Sequence, residues 1–316
     1  MPAAVAGFSR ERVIRVAYFG LPLGALALAS RGFEPSLTIL SPTQAPGRRR
    51  IASRLKHPVI DAKGADEATS NAAIGDAFER TRPDLIASWY WPRRILGKWL
   101  ERAPLGGIGA HPSLLPRHRG PDPFFWAIDS GDETTGVSVH RLVEAYDEGD
   151  VLLSETLAVG DRDAWQLARA LDRPSLRLFV DAVARIAAGE ALRAAPQDER
   201  RATRAPEPTG ELLRVDWTWS TERVLRRVRA LSPVPGLALE IRDVEFFVTG
   251  AEAATAFPAV LAPGEASIDA RAVVVRTGDG AVSVTRAALD DGEAVREMDG
   301  VALAATLGVA GSALVS

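Results

Sequence analysis

Short β-branched apolar runs alternate with helical spacings through the first two-thirds of the chain. Val13–Phe19 reads as a strand, Leu21–Ser30 as a helix and Ser36–Leu40 as a second strand. A basic turn and helix follow at Arg48–Lys56, then a short strand at Val59–Ile60 and a helix at Asp66–Arg80. Asp84–Trp89 is an apolar run of strand length, Arg93–Arg102 a helical one, and Gly107–Ala110 a short strand entering a Pro-rich loop. Gly136–Leu142 is a further strand. Ala164–Gly189 carries Leu167, Leu171, Leu178, Val183 and Ile186 at helical spacing, enough for one or two helices. This alternation predicts an α/β fold with a Rossmann-like, mostly parallel sheet covered by helices. Ligands of such sheets sit beyond the carboxyl ends of the strands.

The pattern changes at Ala195–Gly210, a polar, Pro-rich stretch poor in apolar residues. Beyond it come a helix at Thr221–Leu231, a Pro-Gly turn at Ser232–Gly236, and short alternating runs. Leu237–Ile241, Glu245–Thr249, Ala272–Thr277 and Ala281–Thr285 read as strands, with Gly278–Gly280 as a hairpin turn. The expected organisation is a Rossmann-like catalytic domain over 1–195, a linker over 196–210 and a small, mainly-β, OB-like barrel domain over 211–316.

Composition narrows the chemistry. The 316 residues include no Cys, which excludes disulfides, thiolate nucleophiles and Cys-ligated metal sites. The formal charge of −3 argues against a nucleic-acid carrier. No stretch approaches twenty apolar residues, and the start lacks the order of a secretory signal, so a cytoplasmic protein without a membrane span is expected. No residue pattern points to a metal. Four His are the candidate neutral-pH proton carriers: His57, His111, His118 and His140.

The densest chemical signal lies in Gly107–Asp150. His111 directly follows a short strand, at its expected carboxyl end. The prolines at 112, 116, 121 and 123 predict a non-helical loop with unpaired backbone N–H groups. A His at such an edge suits proton transfer near a ligand, although a lone His often only satisfies a turn carbonyl. Asp147 and Asp150 lie in a DEGD turn after the next strand, where an Asp beside a His would orient the imidazole.

These residues carry a resemblance. HPSLLPRHRG at His111–Gly120, GDETTGVSVHRL at Gly131–Leu142 and AYDEGDVL at Ala145–Leu152 resemble the folate-dependent formyltransferase family. FGLPLGALAL near the start fits that family's first strand and turn. RVDWTWSTERVLRRVRALSPVPG resembles the C-terminal barrel of its methionyl-tRNA and amino-sugar branches. The resemblance implies that 10-formyltetrahydrofolate donates a formyl group to a primary amine, supported by an Asn–His–Asp trio. The His falls on His111 and the Asp on Asp147. It also implies folate contacts from Ser113, Leu114, Leu115 and Pro116, from the loop Val143, Glu144, Ala145 and Tyr146, and from Arg93, Arg94 and Ile95.

The family's Asn falls on Gly109, which has no side chain. Losing one donor from a preorganised oxyanion site costs roughly 100- to 1,000-fold in rate. A water, a protonated His111 or the Ser113 hydroxyl are candidates for the vacancy, and Gly109→Asn is expected to raise the rate of a weakened family member. The alternative is a folate-binding homologue with lost or redirected activity. The acceptor is expected to be a small amine such as an amino sugar, an amino acid or a biosynthetic intermediate. Residues 210–316 hold ten Arg, no Lys and fifteen acidic residues, a net −5 that disfavours methionyl-tRNA, the alternative acceptor. The basic segment Pro42–Arg50 is short, and its three arginines suit either solvent or a phosphate of the acceptor.

Overall fold

The computed structural model describes residues 14–43, 48–63, 66–290, 292, 294–308 and 310–315. Val13 and residues 44–47 of the basic segment lie outside the described residues. The chain forms two compact units. The first holds the described residues up to Gly120, Gly136–Thr156 and Leu171–Arg204; the second holds Pro121–Thr135, Leu157–Ala170 and the described residues from Ala205 on.

The first unit is built on β1 (Val16–Gly20), β2 (Leu37–Leu40), β3 (Val59–Asp61), β4 (Leu85–Trp89), β5 (Gly107–His111), β6 (Thr134–Arg141) and β7 (Val151–Ala158). Their order is β3-β2-β1-β4-β5-β6-β7. The first five run parallel, and β6 turns antiparallel to β5. Strands β1, β2 and β4 are buried throughout, as continuous apolar runs covered on both faces should be. Its helices are α1 (Pro22–Ser30), α2 (Arg48–Ala52), α3 (Glu67–Thr81), α4 (Gly97–Leu100) and, from Leu171 on, α6 (Ala164–Ala187); α5 (Pro123–Asp129) belongs to the second unit. One face of the sheet packs Tyr18, Ala87, Ile108 and Val139 against Leu28 of α1 and Phe179, Val183 and Ile186 of α6. The other packs Phe19, Ile39 and Ile86 against Ile74 and Phe78 of α3 and Trp99 of α4.

Three local expectations are corrected. The Pro-rich stretch after His111 does enter a helix: α5 starts at Pro123, where a missing N–H costs nothing, and Asp122 caps it by accepting from Phe125 N at 3.1 Å. The helix expected over Arg93–Arg102 forms only at α4, because residues 91–96 run irregularly and carry Arg93 to Ser70 Oγ at 3.2 Å. The helix expected to reach Lys56 stops at Ala52. Its Arg48 forms a bidentate pair with Asp61, at 2.9 and 2.6 Å, and is thereby withdrawn from any phosphate.

The second unit contains α7 (Thr221–Leu231), α8 (Gly300–Leu307) and seven antiparallel strands: β8 (Leu237–Ile241), β9 (Val244–Ala253), β10 (Glu265–Ile268), β11 (Val273–Arg276), β12 (Ala281–Asp290), β13 (Val295–Asp299) and β14 (Ala310–Leu314). The path β14-β10-β11-β12-β9-β8 curls until an isolated bridge joins Ile241 to Val315, giving the expected small barrel. Asp129, at the end of α5, is clamped by two guanidiniums from α7. Arg223 reaches it at 2.5 and 2.9 Å, and Arg227 at 2.7 and 3.1 Å. Burial pushes the Asp129 carboxyl up, but the two arginines together outweigh it and hold the group below the usual carboxylate range. Among the described residues, no helix is long and apolar enough to cross a membrane.

Candidate active site

The site lies at the carboxyl end of β5, within the first unit. In the β5–β6 ladder Gly109 faces His140 and His111 faces Ser138, so these four residues share one face of the sheet. Their neighbours Ile108 and Val139 point into the core on the other face. His111, Ser138 and His140 are all buried. Ser138 ties down the following loop: its hydroxyl donates to Ser113 O at 2.8 Å and accepts from Leu115 N at 3.0 Å. Leu114 packs over Gly136 of the same strand.

Asp147 closes the site from the turn between β6 and β7. That turn depends on Gly149, where an added Cβ would lie 1.9 Å from Arg141 O. Asp147 takes a left-handed backbone conformation, φ 59°, which Asp tolerates better than most residues. Its carboxylate sits between two imidazoles. Oδ2 is 3.5 Å from His111 Nδ1, and Oδ1 is 3.5 Å from His140 Nε2. Oδ2 also accepts from Gly120 N at 2.9 Å. The outer ring nitrogens are engaged by main chain: His111 Nε2 meets His118 O and His140 Nδ1 meets Arg141 O, both at 2.8 Å.

A second layer holds this arrangement. Gln197 donates from Nε2 to the carbonyls of Asp147 and Gly149, at 2.8 and 2.7 Å. Its Oε1 accepts from Arg119, which is 1% exposed and also makes a bidentate pair with Glu199 at 2.9 and 2.7 Å. His118 N donates to Thr203 Oγ1 at 2.8 Å. Residues 197–203, which composition marks only as polar connecting chain, thus brace both the loop carrying Asp147 and the loop following His111.

The structure brings His111 and Asp147 together, as the resemblance implied. It also brings together two of the expected folate-contact segments, since Arg94 Nε donates to Glu144 O at 3.2 Å. Val143 and Tyr146 on that loop are exposed, whereas Ile95 is buried. Burial pushes the Tyr146 hydroxyl up, helped by the negative charges of Glu67 and Asp147, against Arg94. Of the consecutive aromatics Trp89, Tyr90 and Trp91, Trp89 is buried with Nε1 donating to Ser175 Oγ at 2.9 Å, and Tyr90 donates to Asp172 at 3.0 Å. Trp91 packs edge-on against Phe19.

Two sequence expectations about the missing Asn are revised. The Ser113 hydroxyl is already donated to Arg117 O at 2.6 Å, so it does not supply the absent donor. A Cβ on Gly109 would lie 2.9 Å from Leu142 Cδ2 and 3.3 Å from His140 Nε2, so an Asn there would be crowded by the imidazole opposite. Gly109→Asn alone is therefore expected to lower the rate. Arg119 and Gln197 are not among the residues singled out from sequence, and His140 is there only as one of four candidate proton carriers. Only His140 left a usable signal: Gly136, Ser138 and His140 alternate with Val137 and Val139, which marks a small and polar face on β6.

A doubly covered α/β sheet with a buried His beside a half-buried Asp at its carboxyl edge, in a chain that also carries a β-barrel unit, defines a group-transfer enzyme of recognisable kind. The chain belongs to the folate-dependent formyltransferase family. It matches the Formyl transferase family over residues 33–183 and the Formyl transferase, C-terminal domain family over residues 209–301. It is 33% identical over 304 residues to a methionyl-tRNA formyltransferase of Anaeromyxobacter dehalogenans, covering 90% of this chain and 96% of the relative. Identity to the methionyl-tRNA formyltransferase of Ralstonia nicotianae is 31% over 294 residues, 86% of this chain and 90% of the relative. Among solved structures, the fold is similar to that of WlaRD, a sugar 3N-formyltransferase, with a TM-score of 0.65, 11% identity, and 86% of this chain and 98% of that chain covered. It is also similar to that of HypX from Aquifex aeolicus crystallised with tetrahydrofolic acid: TM-score 0.64, 22% identity, 94% of this chain and 48% of that chain, so this chain spans about half of HypX.

Proposed function

We propose that this protein transfers the formyl group of 10-formyltetrahydrofolate to a small primary amine. The His111–Asp147 juxtaposition supports the chemistry, and the WlaRD structure, determined with dTDP and 5-N-formyl-tetrahydrofolate, supports the donor class. The donor supplies an activated formyl carbon. On this reading the exposed Val143 and Tyr146, with the main chain of 143–147 and Arg94, would hold its flat ring system. Exposed apolar side chains beside main-chain donors and acceptors fit such a group. Asp147 would orient His111, and the pair would hold or move the proton released by the amine.

The observation that carries the small-amine reading is the electrostatics of the second unit. Besides the net −5 over residues 210–316, its arginines are largely engaged. Arg223 and Arg227 hold Asp129, Arg226 pairs with Glu222, and Arg229 and Arg242 donate to backbone carbonyls. The charges of Arg223, Arg226 and Arg227 are already offset by carboxylates, which leaves less positive charge to neutralise a nucleic-acid backbone. The identity of the Ralstonia and Anaeromyxobacter relatives favours the second reading, methionyl-tRNA as acceptor. Initial rates of tetrahydrofolate release with a panel of nucleotide-linked amino sugars, amino acids and methionyl-tRNA decide between them. Saturable acceleration by a small amine, insensitive to salt between 50 and 200 mM on the order that governs phosphate contacts, is expected. Acceleration by methionyl-tRNA alone would overturn the small-amine reading.

The bracing layer yields a further expectation. Gln197→Leu releases two carbonyls of the Asp147 turn and should lower kcat about 10- to 100-fold through misplacement of the carboxylate. The rate of tetrahydrofolate release measures this, and an unchanged kcat would mean that Asp147 is positioned without Gln197.

A further inference from the structure

We propose that the groove between α1 and α6 is a second ligand site, built for a small organic anion: an apolar body carrying one acidic group. The proposal does not depend on the formyl-transfer reading, because none of the residues lining the groove belongs to the folate-contact or catalytic sets above. All of them lie in the first unit.

The sequence of α6 makes two faces in this unit. Phe179, Val183 and Ile186 pack on the sheet. Arg173, Leu176, Arg177, Val180 and Ala184, joined by spacings of three and four residues, border the groove. The end of α1 contributes Ala27, Arg31 directly after the helix, and Phe33. Ala27, Phe33 and Leu176 are partly buried and pack against the core beneath, so the floor of the groove is the apolar outer edge of that core. The groove encloses about 820 Å³. That volume suits one small molecule, since ligand pockets span roughly 300–1,000 Å³.

Charge decides which molecule. Arg177 pairs with Glu155, and Asp181 pairs with Arg185 at 3.7 Å. Arg31 and Arg173 have no carboxylate partner among the described residues, so the groove keeps two uncompensated positive charges. A neutral apolar ligand would strip water from these guanidiniums and return no hydrogen bond. A bare inorganic anion would leave the apolar floor wet, and a cation would be repelled. An organic anion meets both demands. Its acidic group accepts from the guanidinium forks, while its body covers Phe33 and Leu176.

The test titrates the full chain with 1-anilinonaphthalene-8-sulfonate, a flat apolar body with one acidic group, and reads the rise in its fluorescence. One molecule per chain should bind, remain bound when tetrahydrofolate saturates the protein, and weaken as salt is raised. N-phenyl-1-naphthylamine, the same body without the acid, should bind at least about tenfold more weakly. The double variant Arg31→Gln/Arg173→Gln should weaken the sulfonate at least about tenfold, while the neutral probe and the thermal midpoint stay at wild type. Leu176→Glu, which sets a carboxylate on the floor, should abolish binding of both probes. Displacement of the sulfonate by tetrahydrofolate would assign it to the catalytic site and overturn the proposal. Equal affinity of the two probes, or of wild type and the double variant, would overturn it as well. A signal that falls as the chain self-associates would give the groove to a second copy, and the absence of saturable binding would leave it without a ligand; either result overturns the proposal. Because the readout is binding, a failure of formyl transfer leaves this test intact.

Discussion

Replacing Asp147 by Asn should lower kcat for formyl transfer by about 1,000-fold, within the span observed when acid–base groups are lost, while leaving the fold intact. The amide keeps the shape of the carboxylate and can still accept from Gly120 N. With its oxygen so placed, the amide nitrogen lies on the His140 side, where the carboxylate oxygen stood 3.5 Å from Nε2. The charge that faces both imidazoles is lost in the same step. Thermal unfolding and tetrahydrofolate binding should remain near wild type, which separates a chemical loss from a structural one. A variant retaining more than about a tenth of wild-type kcat would show that the carboxylate takes no part in proton transfer.

The largest effect on stability is expected at Asp129. Asp129→Ala removes the carboxylate shared by Arg223 and Arg227 and leaves Arg227, 3% exposed, as a buried cation without its counter-charge. Breaking a buried pair in this way costs about 3–5 kcal/mol. Arg227 NH1 retains the carbonyls of Leu212 and Arg214 at 2.9 and 2.6 Å, and the guanidinium lies over Trp219 and Phe125, so its position is over-determined and relief by movement is limited. Urea unfolding followed by tryptophan fluorescence should show the transition of the second unit shifted to lower denaturant. Combining Asp129→Leu with Arg227→Met should cost less than Asp129→Ala alone, because the uncompensated charge is then gone. A midpoint shift below about 1 kcal/mol for Asp129→Ala would show that the clamp is solvated rather than buried.

What could be read from sequence follows the range of the interactions involved. Strands β1, β4 and β5 announce themselves because parallel strands covered on both faces need unbroken apolar runs. The exposed β13, with its sequence VREMD, carries no such signal and owes its existence to pairing with β12. Helix α5 was hidden behind prolines, whose effect depends on whether they fall inside a helix or at its first position. The site divides in the same manner. His111 and Asp147 are legible because they fall in the HPSLLP and DEGD motifs that carry the family resemblance, at the end of β5 and in the turn after β6. His140 is paired to Gly109 by antiparallel register, and register is a tertiary property that the 30 intervening residues do not encode locally. Gln197 and Glu199 act on Arg119 and Asp147 across separations of 50 to 80 residues, and their own neighbourhood reads only as polar connecting chain. The carboxylate of Asp129 meets its arginines 94 and 98 residues away.

Formyl transfer at His111 and Asp147 is decided by the fate of a single carbon. The most direct measurement supplies 10-formyltetrahydrofolate labelled with 13C in the formyl group, together with an accepted amine, and follows the label by NMR and mass spectrometry. Label recovered in an N-formyl amine, formed at the rate of tetrahydrofolate release and lost in parallel in Asp147→Asn, is the predicted result. Label recovered as free formate, or retained on the folate in the presence of every amine, would contradict formyl transfer at this site.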